Sequence, residues 1–200
     1  MPRIVYLMVI IPASLLVCMC GGPRLGFYTI RLYDAVTIPP AETRDMMFST
    51  SEQPDGTTLY IYEDSSVRFT WKLTDTRFGF ILENLTADTL FVHWEEAAYI
   101  NQNGDTLRTI HDGIDFFQKD SLQKTTVIEP LGSLDDFLLP AQNIHYDPDN
   151  FTLWRINYLF YDRKGNIGQR VAVELPMDIN RRSCRYRFNF MIDDWKDITL

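Results

Sequence analysis

A chain of 200 residues with 46% hydrophobic and 14% aromatic content has enough apolar surface to offset the entropy of ordering, which excludes a disordered polymer. Its length fits one domain with a leader and a linker. Nineteen basic residues face 27 acidic ones for a net charge of −8, which argues against nucleic acid and anionic lipid surfaces as partners.

The chain opens with a short positive region, Met1-Pro2-Arg3, and an uncharged run from Ile4 to Val17. Cys18, Met19, Cys20, Gly21 and Gly22 follow. A positive start, an apolar stretch of this length and then small residues describe a signal peptide better than a membrane span, which needs about 20 apolar residues. A cysteine directly after such a leader is the position at which bacterial lipoproteins receive diacylglycerol. Residues 1–20 therefore read as a lipoprotein-type signal peptide with Cys18 or Cys20 as the acceptor, Leu15 and Val17 standing three residues before each. An uncleaved anchor between Arg3 and Arg24 is the alternative. Loss of residues 1–17 removes Arg3 alone among the charged side chains, so 18 bases would face 27 acids, a net of −9. Tethering then has to come from the N-terminus.

Residues 21–56 carry Pro23, Pro39, Pro40 and Pro54 with only short apolar stretches such as Phe27 to Leu32. They read as a linker with room for one edge strand. From Thr58 the pattern changes to period two. Val67 to Thr74 alternates apolar and polar residues throughout, which places one face in a core and the other in water. The same logic marks strands over Arg77 to Glu83, Thr89 to Trp94, Asp105 to Ile110, Thr125 to Ile128, Phe151 to Tyr161, Ile167 to Leu175 and Ser183 to Ile192. A short helix is expected near Glu95 to Ile100.

Asn103-Gly104 is the preferred pair for a tight hairpin turn with positive φ at both central positions, and Asp162 to Asn166 suits a longer hairpin loop. In the last strand Cys184, Tyr186, Phe188, Phe190 and Ile192 alternate with Arg185, Arg187, Asn189 and Met191. Cys184 thus shares the inward parity and reads as a small buried hydrophobe. Seven to nine strands without crossover helices predict an all-β fold, an antiparallel sandwich over residues 57–200.

The residues from Phe80 to Thr86, Leu90 to Glu95, Tyr99-Ile100, Asn103-Gly104 and Ile110 to Gly113 together resemble a group of bacterial envelope lipoproteins. The resemblance continues through Val127 to Pro130, Gly132-Ser133, Leu139-Pro140, Leu175-Pro176 and Tyr186 to Phe190. It implies an immunoglobulin-like sandwich without an established activity, on an outer membrane and facing the periplasm. Its residues are mostly turn and core markers. Asn84 and Thr86 sit where a strand ends and can hydrogen-bond nearby backbone, and Trp94 is expected to pack between sheets.

The polar residues with chemical potential are few. His93, His111 and His145 have no mutual spacing of a helical or hairpin metal pair; Glu95, Glu96, Asp112, Asp115 and Asp147 lie near them. His111, Asp112, His93 and Glu95 form the candidate polar cluster, of which His111-Asp112-Gly113 also reads as an ordinary strand end and turn. Asn101 to Asp105 offers oxygens at alternate positions but lacks the glutamate of a calcium loop. No phosphate loop, nucleophile elbow or paired-cysteine motif occurs in the sequence, so no catalytic residue, metal or cofactor is implied. The sequence thus points to a non-enzymatic binding module with a lipid anchor and an envelope protein partner. The alternatives are a metal-assisted hydrolase built on His111 and a structural spacer or assembly subunit.

Overall fold

A computed structural model describes residues 26–40, 45–160 and 164–197. The leader, with Cys18 and Cys20, lies outside the described residues, as do the first two residues of the Asp162 to Asn166 loop. Among the described residues no helix is long and apolar enough to cross a membrane.

The fold is all-β and antiparallel. Its strands are β1 (Gly26–Ile38), β2 (Met47–Glu52), β3 (Thr58–Glu63), β4 (Val67–Leu73), β5 (Phe78–Asn84), β6 (Leu90–Val92) and β7 (Ala98–Ile100). There follow β8 (Thr106–Ile110), β9 (Thr126–Ile128), β10 (Ser133–Pro140), β11 (Ile144–Tyr146), β12 (Trp154–Ile156), β13 (Arg170–Ile179) and β14 (Arg182–Asp197). The ladder runs β1-β14-β13-β7-β8-β10-β5-β4-β3-β2, with β6 joining β13 to β9 and β11 pairing with β12 separately. One layer is built on β14 and β13, the other on β2 to β5. β10 passes between them, pairing β5 up to Leu138 and then β8 through Leu139 and Pro140.

The layers are held together by aromatic side chains at alternate positions. Phe69 and Trp71 of β4 meet Phe188 of β14 at 4.6 and 4.9 Å between centroids, and Trp71 and Phe78 meet Phe190 at 5.2 and 5.1 Å. Tyr186, Phe188, Phe190 and Ile192 are all fully buried, as their period-two spacing predicts. Cys184 keeps the same parity, yet it is only half-buried against the core margin. One polar group is sealed into this interface. Asp64, in the β3–β4 turn, accepts from the Tyr62 hydroxyl at 3.0 Å, the Tyr186 hydroxyl at 2.8 Å and the N–H groups of Ser66 and Val67. A second, smaller core of Ile110, Leu139, Ala141 and Ile144 lies under Phe116, Trp154 and Ile156.

Several expectations need correction. The segment read as a linker holds β1 and β2, a 13-residue and a 6-residue strand at the two ends of the ladder. The helix expected over Glu95 to Ile100 is a single 3-10 turn, Trp94–Glu96, followed by β7. The strand expected over Phe151 to Tyr161 shrinks to β12, which pairs with β11 and not with β13. At the β7–β8 hairpin only Gly104 has positive φ, +87°, and the Asn101 carbonyl accepts from its N–H, so this is a turn closed by a glycine bulge. The two-residue turn with positive φ at both centres occurs instead at Asn180-Arg181, between β13 and β14.

Candidate functional site

The residues singled out from the sequence do not converge. They surround the 3-10 turn at Trp94, but each is drawn into a different hydrogen-bond network.

His111 follows the last residue of β8, where Gly113 at φ +79° turns the chain. Its Nδ1 lies 3.1 Å from Oδ2 of Asp136, a buried carboxylate on β10. The other oxygen of Asp136 accepts the N–H of Asp112 at 2.7 Å and that of Phe137 at 2.6 Å. The imidazole stacks on the Trp94 indole at 4.1 Å and 7°, and the indole N–H donates to Thr126 Oγ1 at 2.8 Å. Asp112 contributes its backbone to this niche while its side chain stays exposed. The true partner of His111 is therefore Asp136. A carboxylate that fixes one imidazole nitrogen defines the ring's tautomer and orientation.

His93 faces the opposite way from Trp94's buried ring. Its Nε2 is 2.9 Å from Asp178 Oδ2 and its Nδ1 is 3.3 Å from Thr125 Oγ1. The Ser183 hydroxyl donates to the other Asp178 oxygen at 2.6 Å, and that bond, with His93 second, holds the Asp178 carboxyl below its ordinary pKa. A cleft of about 350 Å³ lined by Asp88, Phe91, Asp178, Arg181 and Ser183 adjoins this pair.

Glu95 forms a forked ion pair with Arg108, at 2.6 and 2.9 Å, and accepts the Gln123 N–H at 3.0 Å. The Arg108 bonds, then the Gln123 N–H, pull its pKa down to about 2. Arg108 also donates to the carbonyls of Lys119 and Ser121, so the pair pins the Lys119 to Gln123 loop onto β8. His145 bonds Asn157 in the β11–β12 hairpin. Among the described residues no group of three His, Cys, Asp or Glu side chains is arranged to hold a metal ion.

The turn residues behave as their chemistry predicts. The Asn84 amide donates to the Asp88 and Glu129 carbonyls at 2.8 and 3.1 Å, and its oxygen accepts the N–H and hydroxyl of Thr86. Asn101 Oδ1 accepts the N–H groups of Asn103 and Asp105 at 2.9 Å each. Those oxygens are committed to the hairpin.

The remaining candidate surfaces were not visible as motifs. One is the open edge of β2, whose Met47 and Phe48 are 59% and 48% exposed. A second is a cleft of about 510 Å³ on the outer face of β3 to β5, between Leu59, Lys72, Ile81 and the Gln53 to Thr57 turn. The third is a polar hollow of about 340 Å³ on the outer face of β13 and β14. Such surfaces join residues from three or four strands, so no local spacing announces them.

Comparison with family models, with curated proteins and with solved structures finds no match to this chain.

Proposed function

We propose that this protein is an envelope lipoprotein with an immunoglobulin-like sandwich, tethered through Cys18 or Cys20, and that the domain is a non-enzymatic binding module for another envelope protein. The observation that carries the reading is β2. It pairs with β3 over six residues without a register shift, and among the described residues no strand pairs with its other side. An open, regular edge presents backbone donors and acceptors to an incoming extended segment, and exposed side chains beside it supply selectivity. Met46, Met47 and Phe48 are such side chains. His93, Glu95 and Asp136, which a catalytic reading would recruit, are by contrast engaged within the fold.

The test is cross-linking of the full chain in native membranes, followed by identification of partners and attached lipid by mass spectrometry. A reproducible protein partner is expected. Neighbouring strand residues turn their N–H groups to opposite edges, so one of Ser49→Pro and Thr50→Pro should abolish capture while leaving the β2–β3 ladder intact. Recovery of the lipidated chain alone, or capture unaffected by both prolines, would overturn the reading. Substituting both Cys18 and Cys20 by Ser should release a folded domain from the membrane.

One observation favours the second reading, a metal-assisted hydrolase. Asp136 orients His111 as an acid orients a general base, and among the described residues His111 Nε2 has no hydrogen-bond partner. Metal-dependent ester hydrolysis lost in His111→Gln and in Asp136→Asn would establish it.

A further inference from the structure

The outer face of β13 and β14 carries a hollow whose shape follows from one small residue. Asp34 of β1, Asn189 of β14, Ala172 of β13 and Ile100 of β7 lie directly opposite one another across four strands. Residues so aligned share a face, and alanine leaves a dip in the row. Ala172 is 2% exposed although it points away from the inter-sheet core. A register shift in β1 between Leu32 and Asp34 makes Tyr33 an extra residue and turns it to this face. The Asn101 to Gly104 turn forms the far wall.

Two guanidinium groups bracket the dip. Arg170 stands two residues before Ala172 on β13 and lies over the Tyr33 ring at 4.2 Å. Among the described residues no carboxylate comes within ion-pair distance of it. Arg187 stands beyond the dip, opposite Glu174. Glu174 is shared, at 3.1 Å from Arg185 and 3.5 Å from Arg187; Arg185 also lies 3.6 Å from Glu96, so Arg187 keeps only the longer contact to a shared carboxylate. The Arg187 Nε–H donates to Asn189 Oδ1 at 3.3 Å, and the Asn189 amide donates to Asp34. This chain of bonds fixes Arg187 before any ligand arrives, which reduces the ordering cost of binding. In a chain of net charge −8, Arg170 and Arg187 here match Asp34 and the shared Glu174 in number, so the hollow lacks the acidic excess of the chain as a whole.

We propose that this hollow binds an anionic monosaccharide, its carboxylate or phosphate held between Arg170 and Arg187 and its hydroxyls met by Asp34 and Gln102. Guanidinium forks match either oxyanion. A carboxylate acceptor and an amide beside them suit sugar hydroxyls, and about 340 Å³ lies at the small end of ligand pockets. The site is separate from the β2 edge and does not rest on partner capture there.

The test is titration of the full chain in neutral detergent with glucuronate, glucose 6-phosphate, glucose and inorganic phosphate, read as amide shifts at Gln102, Gly104 and Ala172. Saturable shifts with glucuronate, a Kd of about a millimolar, and binding of glucose weaker by about tenfold or more are expected, since loss of the anion strands the arginines. Equal binding of glucose 6-phosphate would support the site and name phosphate as an alternative anion. Inorganic phosphate binding as tightly as either sugar, or no saturable shift with any ligand, would overturn the proposal. Arg187→Gln should weaken glucuronate by about tenfold. Because that change also touches Glu174, Arg170→Gln, which breaks no ion pair, is the second variant; unchanged affinity there would overturn the proposal too.

Discussion

The two faces of β14 give the sharpest contrast in the molecule. Inward, Tyr186, Phe188, Phe190 and Ile192 are fully excluded from water, and the three aromatic ones meet the opposite sheet through ring contacts. Outward, Arg185, Arg187 and Asn189 remain half-exposed and are joined by hydrogen bonds and shared charge. One strand thus keeps its packing and its recognition chemistry on opposite parities, one residue apart. The inner face carries the large energies because buried aromatic area has no substitute in water. The outer face carries little stability, because partly exposed ion pairs are screened. A substitution on either parity should therefore move one property and leave the other.

The largest expected effect comes from Phe188→Ala, which should cost about 4 kcal/mol in urea unfolding because it opens a cavity among Tyr62, Phe69 and Trp71. Next is Asp64→Ala, at about 3 kcal/mol, since it removes a buried acceptor of two tyrosine hydroxyls and two N–H groups. Arg187→Gln should lower stability by no more than about 1 kcal/mol, because Arg185 stays on Glu174. A loss as large as that of Phe188→Ala would break the separation of the faces. Arg181→Gly should raise stability by about 1 kcal/mol by relieving a non-glycine residue at φ 62°, with sugar binding unchanged.

The smallest effect is a pH dependence at Glu95. Its folded pKa is about 2 against an ordinary value of 4.5, so its stabilising contribution is complete above pH 4.5 and is lost as pH falls toward 2. The side chain is 38% exposed, so the contribution is small and added salt should shrink it. Glu95→Gln should remove that part of the acid dependence in a pH series of unfolding curves.

The sequence made the inner parity legible because hydrophobic alternation is a local signal. Val67 to Leu73 and Tyr186 to Ile192 show it without interruption, and both sit at the centre of the core. β1 was hidden by its own irregularities. Its buried positions run Tyr28, Ile30 and then, past the extra residue Tyr33, Ala35 and Thr37, so the alternation changes phase within the strand. β2 is exposed almost throughout and has no apolar period to read. β10 was obscured because an aspartate, Asp136, occupies an inward position between Leu134 and Leu138.

That same residue explains why the candidate polar cluster was incomplete. His111 could be picked out as a histidine at a strand end, but its partner lies 25 residues away on an unrecognised strand. His93, Glu95 and His111 are near in sequence or space to Trp94, yet Asp178, Arg108 and Asp136 divide them. The outer hollow left no trace, since Tyr33, Arg170, Ala172 and Arg187 are brought together only by pairing of β1, β14 and β13.

The most direct test of the division between the two faces of β14 is the glucuronate titration performed on Phe188→Leu beside Arg187→Gln, at a temperature where both remain folded. Unchanged affinity in Phe188→Leu with loss in Arg187→Gln is the predicted result. Affinity retained in Arg187→Gln, or lost in Phe188→Leu, would contradict it.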